Sequence, residues 1–265
     1  MGPKHVRKEL LPDQSIALLQ ALHLVTRDGQ LNADARRKLK QVNHLVGLLQ
    51  PALDASFARS ETPVLVDVGS GNAYLSFVLY ELFFQTRGEV VAVEQRPELV
   101  ARAQERAAAL GFSRLKFVVG DIAGAVYPPR IDILCALHAC DTATDDALRV
   151  ALDHDAAHVA VVPCCQAEVA RQLKELRDLE APFRALSAHP IHRREFGSHL
   201  TNVVRGLWLE SHGYKVTVTE LSGWEHSLKN ELILGERVQR TNGMAKAQLD
   251  ALVASTGIAP KLLAP

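Results

Sequence analysis

No run of apolar residues in this 265-residue chain is long enough to cross a bilayer, which argues against a helical membrane span. The opening stretch MGPKHVRKELLPDQ is basic but has no apolar segment behind it, so no secretory signal is expected. Val6 stands where a myristoylation signal needs Ser or Thr. Charge of one sign is also missing. The 30 Lys and Arg balance 30 Asp and Glu, and nothing global favours a polyanionic partner. Cysteine is scarce, at positions 135, 140, 164 and 165 only, beside the ends of expected strands. That pattern is no disulfide framework and is expected of a reducing, cytoplasmic protein. The paired C-x₂-C spacing of structural zinc sites is absent, so no metal is expected. Aromatic residues make up 5%, too sparse for a stacking platform along a single nucleic-acid strand. There is no internal repeat and no low-complexity segment.

What is present fits one large domain with an extension. The middle of the chain is acidic and both flanks are mildly basic, which is either chance variation or the footprint of a phosphate-bearing partner. Residues 13–26 and 32–50 read as helices split by Asp28-Gly29. The second sets Leu39, Val42, Val46 and Leu49 on one face and Arg36, Arg37, Lys40, Asn43 and His44 on the other, with Asn32 or Asp34 as cap and Pro51 after its end. From residue 63 short β-branched runs alternate with helical segments. PVLVDVG, EVVAVEQ, RLKFVVGD, IDILCALH and AHVAVVPCC are five strands, with helices expected near 73–84, 97–110, 142–153 and 166–179. A helix near 195–211 precedes YKVTVTEL and NELILGERV, which have no helix between them and should be antiparallel neighbours. The expected fold is α/β: a doubly wound, Rossmann-like seven-stranded sheet with an antiparallel last strand and an N-terminal helical extension. The expected divisions are residues 1–55 for the extension, 56–240 for the sheet domain and 241–265 for a helical tail.

In VLVDVGSGNAYLSFVLYELF an apolar strand ends in Asp67, a Gly69-Ser70-Gly71 turn follows, and a helix begins. Such a turn brings backbone N–H groups and a helix N-terminus to a ligand. The third glycine of the hydride-cofactor fingerprint is absent, because Tyr74 occupies its place. Asp67, Glu94 and Asp121 close three successive strands at the carboxyl edge, where α/β sheets bind ligands. Three carboxylates repel a pyrophosphate. They suit adenosine with an ammonium-bearing tail, as in S-adenosylmethionine: Glu94 to accept the ribose hydroxyls, Asp121 or its backbone to meet the adenine.

The segments VDVGSGNAYLS, VAVEQ, VVGDI and the closing antiparallel pair, over roughly residues 63–235, resemble a class I S-adenosylmethionine-dependent methyltransferase. The resemblance implies that Asp67, Gly69, Ser70, Gly71, Glu94, Gln95, Asp121, Ile122 and Leu137 hold the cofactor. LHACDTATDDAL, VVPCC and EHSLKN together are similar to methyltransferase domains related to tRNA 2′-O-methyltransferases and ribosomal-RNA methyltransferase-like proteins. Ala139-Cys140-Asp141 and Gln166 replace part of the His-Cys-Gly and Cys-Cys-His patterns of those enzymes. The resemblance implies an RNA acceptor, with ribose 2′-O transfer preferred.

The Asn-Pro-Pro-Tyr loop of amino-group methylation is missing. On the acceptor side His138, Asp141, Cys164, Lys229 and Asn230 are the candidate catalytic residues. Each has a structural alternative: His138 as a hydrogen-bonded loop histidine, Asp141 as a helix cap competing with Thr142 and Thr144, the cysteines as packing at strand ends, and Lys229 and Asn230 as part of an ordinary polar loop. Cys140 with Cys164 leaves cytosine-C5 addition open. Arg36, Arg37, Lys40, Arg193 and Arg194 are candidate phosphate contacts, or solvated helix faces. A small-molecule or protein acceptor, and a cofactor-binding regulatory module without catalysis, remain the other readings.

Overall fold

A computed structural model describes residues 10–26, 33–137, 139–163, 166–176, 179–221 and 231–264. Strands β1 (Val64–Val68), β2 (Glu89–Glu94), β3 (Leu115–Val119), β4 (Ile133–Ala136), β5 (His158–Val161), β6 (Tyr214–Glu220) and β7 (Glu231–Arg237) form one sheet in the order β3-β2-β1-β4-β5-β7-β6. The first five are parallel. β7 lies antiparallel between β5 and β6, as the absence of an intervening helix foretells. Among the described residues no helix is long and apolar enough to cross a membrane.

The period of two along each strand feeds two cores. Leu65, Val90, Ala92, Ile133 and Cys135 face α2 (Ala33–Arg59), α3 (Tyr74–Leu79) and α4 (Pro97–Ala109). Val66, Val68, Val91, Val93, Leu134 and Val161 face α5 (Ala143–Asp153), α6 (Glu168–Glu175), α8 (Pro190–Ser211) and α9 (Gly243–Thr256). Both faces are buried along β1, β2, β4 and β5, which is why those strands read as nearly continuous apolar runs, while the edge strands β3 and β6 are partly exposed.

Several helix limits differ from the sequence reading. α1 covers only Ile16–Ala21: the Ser15 hydroxyl caps it, and His23 at φ 57° turns the chain so that Leu22, Leu24 and Val25 are buried. α2 does not stop at Pro51 but runs to Arg59, through position 55. The extra turns bury Leu53 and bring the Arg59 guanidinium within 2.8 Å of Asp132, ahead of β4. Asp132 also accepts from Val64 N–H at 2.9 Å, so it ties the end of α2 to the starts of β1 and β4. α3 continues as one π turn over Tyr80–Phe84. α6 ends at Glu175 and a separate α7 (Ala181–Ser187) precedes α8, which begins at Pro190 with proline at its first position, where no N–H is needed. The tail is the expected helix, with Asn242 capping its start and Gly257 at φ 67° ending it. Asn32, the Asp28-Gly29 break and the side chain of Asp34 lie outside the described residues.

Candidate functional site

The carboxyl ends of β1, β2 and β3 are laced together by backbone. Ser70 N–H donates to the Val93 carbonyl at 3.0 Å, and Gly120 N–H to the Glu94 carbonyl at 3.1 Å. Gly69 at φ 65° and Gly71 at φ 58° form the turn, conformations that side chains other than glycine adopt at a cost. A Cβ on Gly69 would stand 3.9 Å from the Ile122 side chain, so the turn after β1 and the segment after β3 face each other. Glu94 sits between them, 5% exposed. Its Oε2 accepts from Gly71 N–H at 2.8 Å; its Oε1 accepts from Arg96 N–H at 3.1 Å and Arg96 Nε at 2.7 Å. Burial pushes the Glu94 carboxyl up, but the Arg96 and Gly71 hydrogen bonds outweigh it and hold it below the usual glutamate value.

Asp67 and Glu94 lie on the same sheet face, but they do not form one open acidic rim. Asp67 is registered between Ala92 and Cys135 and lies beneath α3, where the Ser76 hydroxyl donates to it at 2.5 Å. Burial raises its pKa to about 7, with the Ser76 bonds pulling down and Glu94 adding repulsion. Near neutral pH the edge therefore carries less negative charge than three ionised acids would. Asp121 is exposed and turns its own chain, accepting from Gly124 N–H at 2.8 Å. Gln95 is exposed, and Leu137 is half-buried against the core beneath.

The segments after β4 and β5 meet around Asp141. This residue has φ 51°. Its Oδ1 accepts from Ala167 N–H at 3.0 Å and Glu168 N–H at 3.2 Å, and its Oδ2 pairs with Arg171 at 3.3 Å. Asp141 thus caps α6, not the helix that follows it; Thr144 Oγ1 instead donates to the Ala139 carbonyl at 2.6 Å. Gln166 is buried: its Nε2 donates to the Pro163 carbonyl at 3.2 Å, and its Oε1 accepts from the Ser198 hydroxyl at 2.8 Å. Cys140 is exposed. His138, Cys164, Lys229 and Asn230 lie outside the described residues.

Sequence reasoning passed over Arg96, Ser76, Asn202 and the buried pair Arg205–Asp145, whose Nε and Oδ1 are 2.7 Å apart. A signal existed for the last. Arg205 interrupts the apolar run of NVVRGLWL, and a cation there must find a buried acid. Burial pushes the Asp145 carboxyl up, and Arg205 pulls part of that back.

The two basic clusters lie on helices that pack on opposite faces of the sheet, α2 in one core and α8 in the other. α2 leads down into β1, and Arg59 lies at the amino edge. Lys40 stands about 28 Å up the helix from Arg59, against about 17 Å for a five-residue strand. Arg36, Arg37 and Lys40 are exposed on the half of α2 remote from Arg59. β6 is parallel to β5, since both oppose β7, and α8, with Arg193 and the exposed Arg194 in its first turns, ends just ahead of β6 at the amino edge.

A family model described as a methyltransferase domain matches residues 37–172. A glutathione S-transferase C-terminal domain-containing protein of Xenopus laevis is 25% identical over 235 residues, 80% of this chain and 36% of that protein. A protein-L-isoaspartate O-methyltransferase of Ignicoccus hospitalis is 34% identical over 107 residues, 40% of this chain and 47% of that protein. The chain thus spans about a third to a half of the length of these curated relatives. An SAH-bound methyltransferase structure from Podospora anserina is 14% identical, covering 89% of this chain and 94% of that one at a TM-score of 0.49.

Proposed function

Because the chain belongs to the methyltransferase-domain family, we propose that it is an S-adenosylmethionine-dependent methyltransferase whose acceptor is RNA, with transfer to a ribose 2′-oxygen. The observation that carries the cofactor half is Glu94: a buried carboxylate kept ionised at the end of β2, anchored to the glycine turn by Gly71. A carboxylate has about four acceptor sites. Gly71 and Arg96 use three, so one remains, and the exposed Arg96 side chain can yield another to a ribose hydroxyl. Gly69, Ser70 and Gly71 supply close backbone, Asp121 and Ile122 the adenine side, Gln95 and Leu137 the flanks. Asp67 supports the glycine turn from beneath, through its bond from Ser76 at the start of α3.

S-adenosylmethionine supplies an electrophilic methyl group on a sulfonium. The chain must hold an oxygen against it and exclude water. His138 and Cys164, on the exits of β4 and β5, with Lys229 and Asn230 just ahead of β7, are the acceptor-side candidates. Asp141 contributes by joining the β4 and β5 exits. In this reading Arg36, Arg37 and Lys40 on α2, with Arg193 and Arg194 on α8, give the RNA backbone its cations, from helices on opposite faces of the sheet. Residues 1–55, 56–240 and 241–265 act as acceptor-side extension, catalytic domain and tail.

Calorimetric titration with S-adenosylhomocysteine, with NADH as control, tests the cofactor half. Micromolar binding of the first and none of the second is expected, and NADH binding would refute it. Transfer of labelled methyl from S-adenosylmethionine to total RNA tests the acceptor. Label resistant to ribonuclease but sensitive to protease would point instead to a protein acceptor.

A further inference from the structure

Arg205 is 1% exposed and is the one fully buried cation among the described residues. It makes three kinds of contact. Nε donates to Asp145 Oδ1 on α5 at 2.7 Å, Nη1 to Asn202 Oδ1 at 3.3 Å, and Nη2 to the main-chain carbonyl of Asp141 at 2.7 Å. That carbonyl belongs to a residue in the left-handed region, which a non-glycine residue holds only under constraint. The carboxylate of the same Asp141 reaches across to the Ala167 and Glu168 amides. On the other flank, Asn202 Oδ1 also accepts from Gln166 Nε2 at 3.4 Å, and Gln166 holds the Pro163 carbonyl. One guanidinium therefore touches the segment leaving β4 directly and reaches the segment leaving β5 through Asp141 and Asn202.

We propose that Arg205 is a positioning residue for methyl transfer: by holding Asp141 in its left-handed turn, it locks the exits of β4 and β5 into a single platform for the acceptor. The proposal rests on the methyltransferase reading above. Stability alone does not call for this residue, because a buried ion pair is often replaceable by apolar side chains without loss. What arginine adds is a planar fork whose three nitrogens reach a carboxylate, an amide oxygen and a main-chain carbonyl spread around it; lysine carries its three donors on a single nitrogen and leucine has none.

Two variants separate the roles. Arg205→Lys keeps the charge and loses the fork. Arg205→Leu combined with Asp145→Leu removes both charges, so that no unpaired ion is left inside. Melting, S-adenosylhomocysteine affinity, amide exchange over residues 139–146 and 166–172, and methyl transfer to total RNA are measured on each. We expect at least one variant to stay folded and to bind S-adenosylhomocysteine within about threefold of wild type. In it, exchange in both segments should rise together by about tenfold or more, and kcat should fall by at least about tenfold.

Protection unchanged in both segments, or lost in only one, would overturn the proposal. So would transfer at the wild-type rate despite loosened segments, or cofactor affinity falling in step with melting. Unfolding of both variants would also overturn it, by making Arg205 a general stabiliser. If wild-type protein transfers nothing to RNA, the acceptor reading fails on its own, and the exchange data still decide whether Arg205 couples the two segments.

Discussion

Replacing Glu94 by glutamine keeps the size and shape of the side chain and removes its charge. The native carboxylate accepts from Gly71 N–H at 2.8 Å, Arg96 N–H at 3.1 Å and Arg96 Nε at 2.7 Å. Glutamine has one acceptor oxygen. If Gly71 keeps it, the new amide group sets its own donors against Arg96 or against the ribose hydroxyls. Hydrogen bonds to a charged group contribute about 1.5–3 kcal/mol and neutral ones about 0.5–1.5 kcal/mol. Losing that difference at two ribose hydroxyls amounts to about 2–3 kcal/mol, or roughly 30- to 150-fold weaker binding. Titration calorimetry of both proteins with S-adenosylhomocysteine, with a melting curve on each, reads this directly. The pH dependence adds a signature. The folded carboxyl is held below its ordinary value of 4.5, so the wild-type advantage over Glu94→Gln should stay constant from neutral pH to that value. It should vanish only as pH falls further and the carboxyl protonates. Equal affinity of the two proteins, with melting unchanged, would refute the assignment of Glu94 to the ribose.

Asp67→Asn should behave in the opposite sense. The folded pKa of about 7 lies above the ordinary 3.8, so the wild-type stability due to this group is full below the lower value and is lost as pH rises through the higher one. The variant should gain on wild type between those limits by up to about 4 kcal/mol; urea melts whose difference does not change with pH would contradict the buried protonated acid. Cys140→Ala and Cys164→Ala should each retain most methyl transfer if the acceptor is a ribose oxygen, whereas loss of all activity in either would turn the assignment to cytosine C5. Reversing charge at Arg36, Arg37 and Lys40 should lower the salt dependence of RNA binding by about one for each phosphate no longer neutralised and leave S-adenosylhomocysteine affinity intact; an unchanged slope would remove α2 from the RNA path.

Much of this molecule is written in local pattern. The short β-branched runs VLVDV and EVVAVE, each followed by a helical segment, and the absence of a helix between the last two strands suffice for the sheet, because run length and the 3.6 period are properties of neighbouring residues. The Gly69-Ser70-Gly71 turn and the acid at the end of β2 are equally local, and both lie where the sequence puts them. Pro51 misleads for the same reason: it is a strong local stop signal, yet burial of Leu53 and the Arg59–Asp132 pair, contacts with distant segments, carry the helix through it. Only the tertiary structure decides which polar groups share an interior. It puts Asp67 under Ser76 and out of the open crevice, and turns Asp141 from a cap of its own helix into the cap of α6. It also brings Arg205, 64 residues along the chain, against the Asp141 carbonyl. Those partners are set by how helices pack across both faces of the sheet, and that information is spread over segments no window of sequence contains.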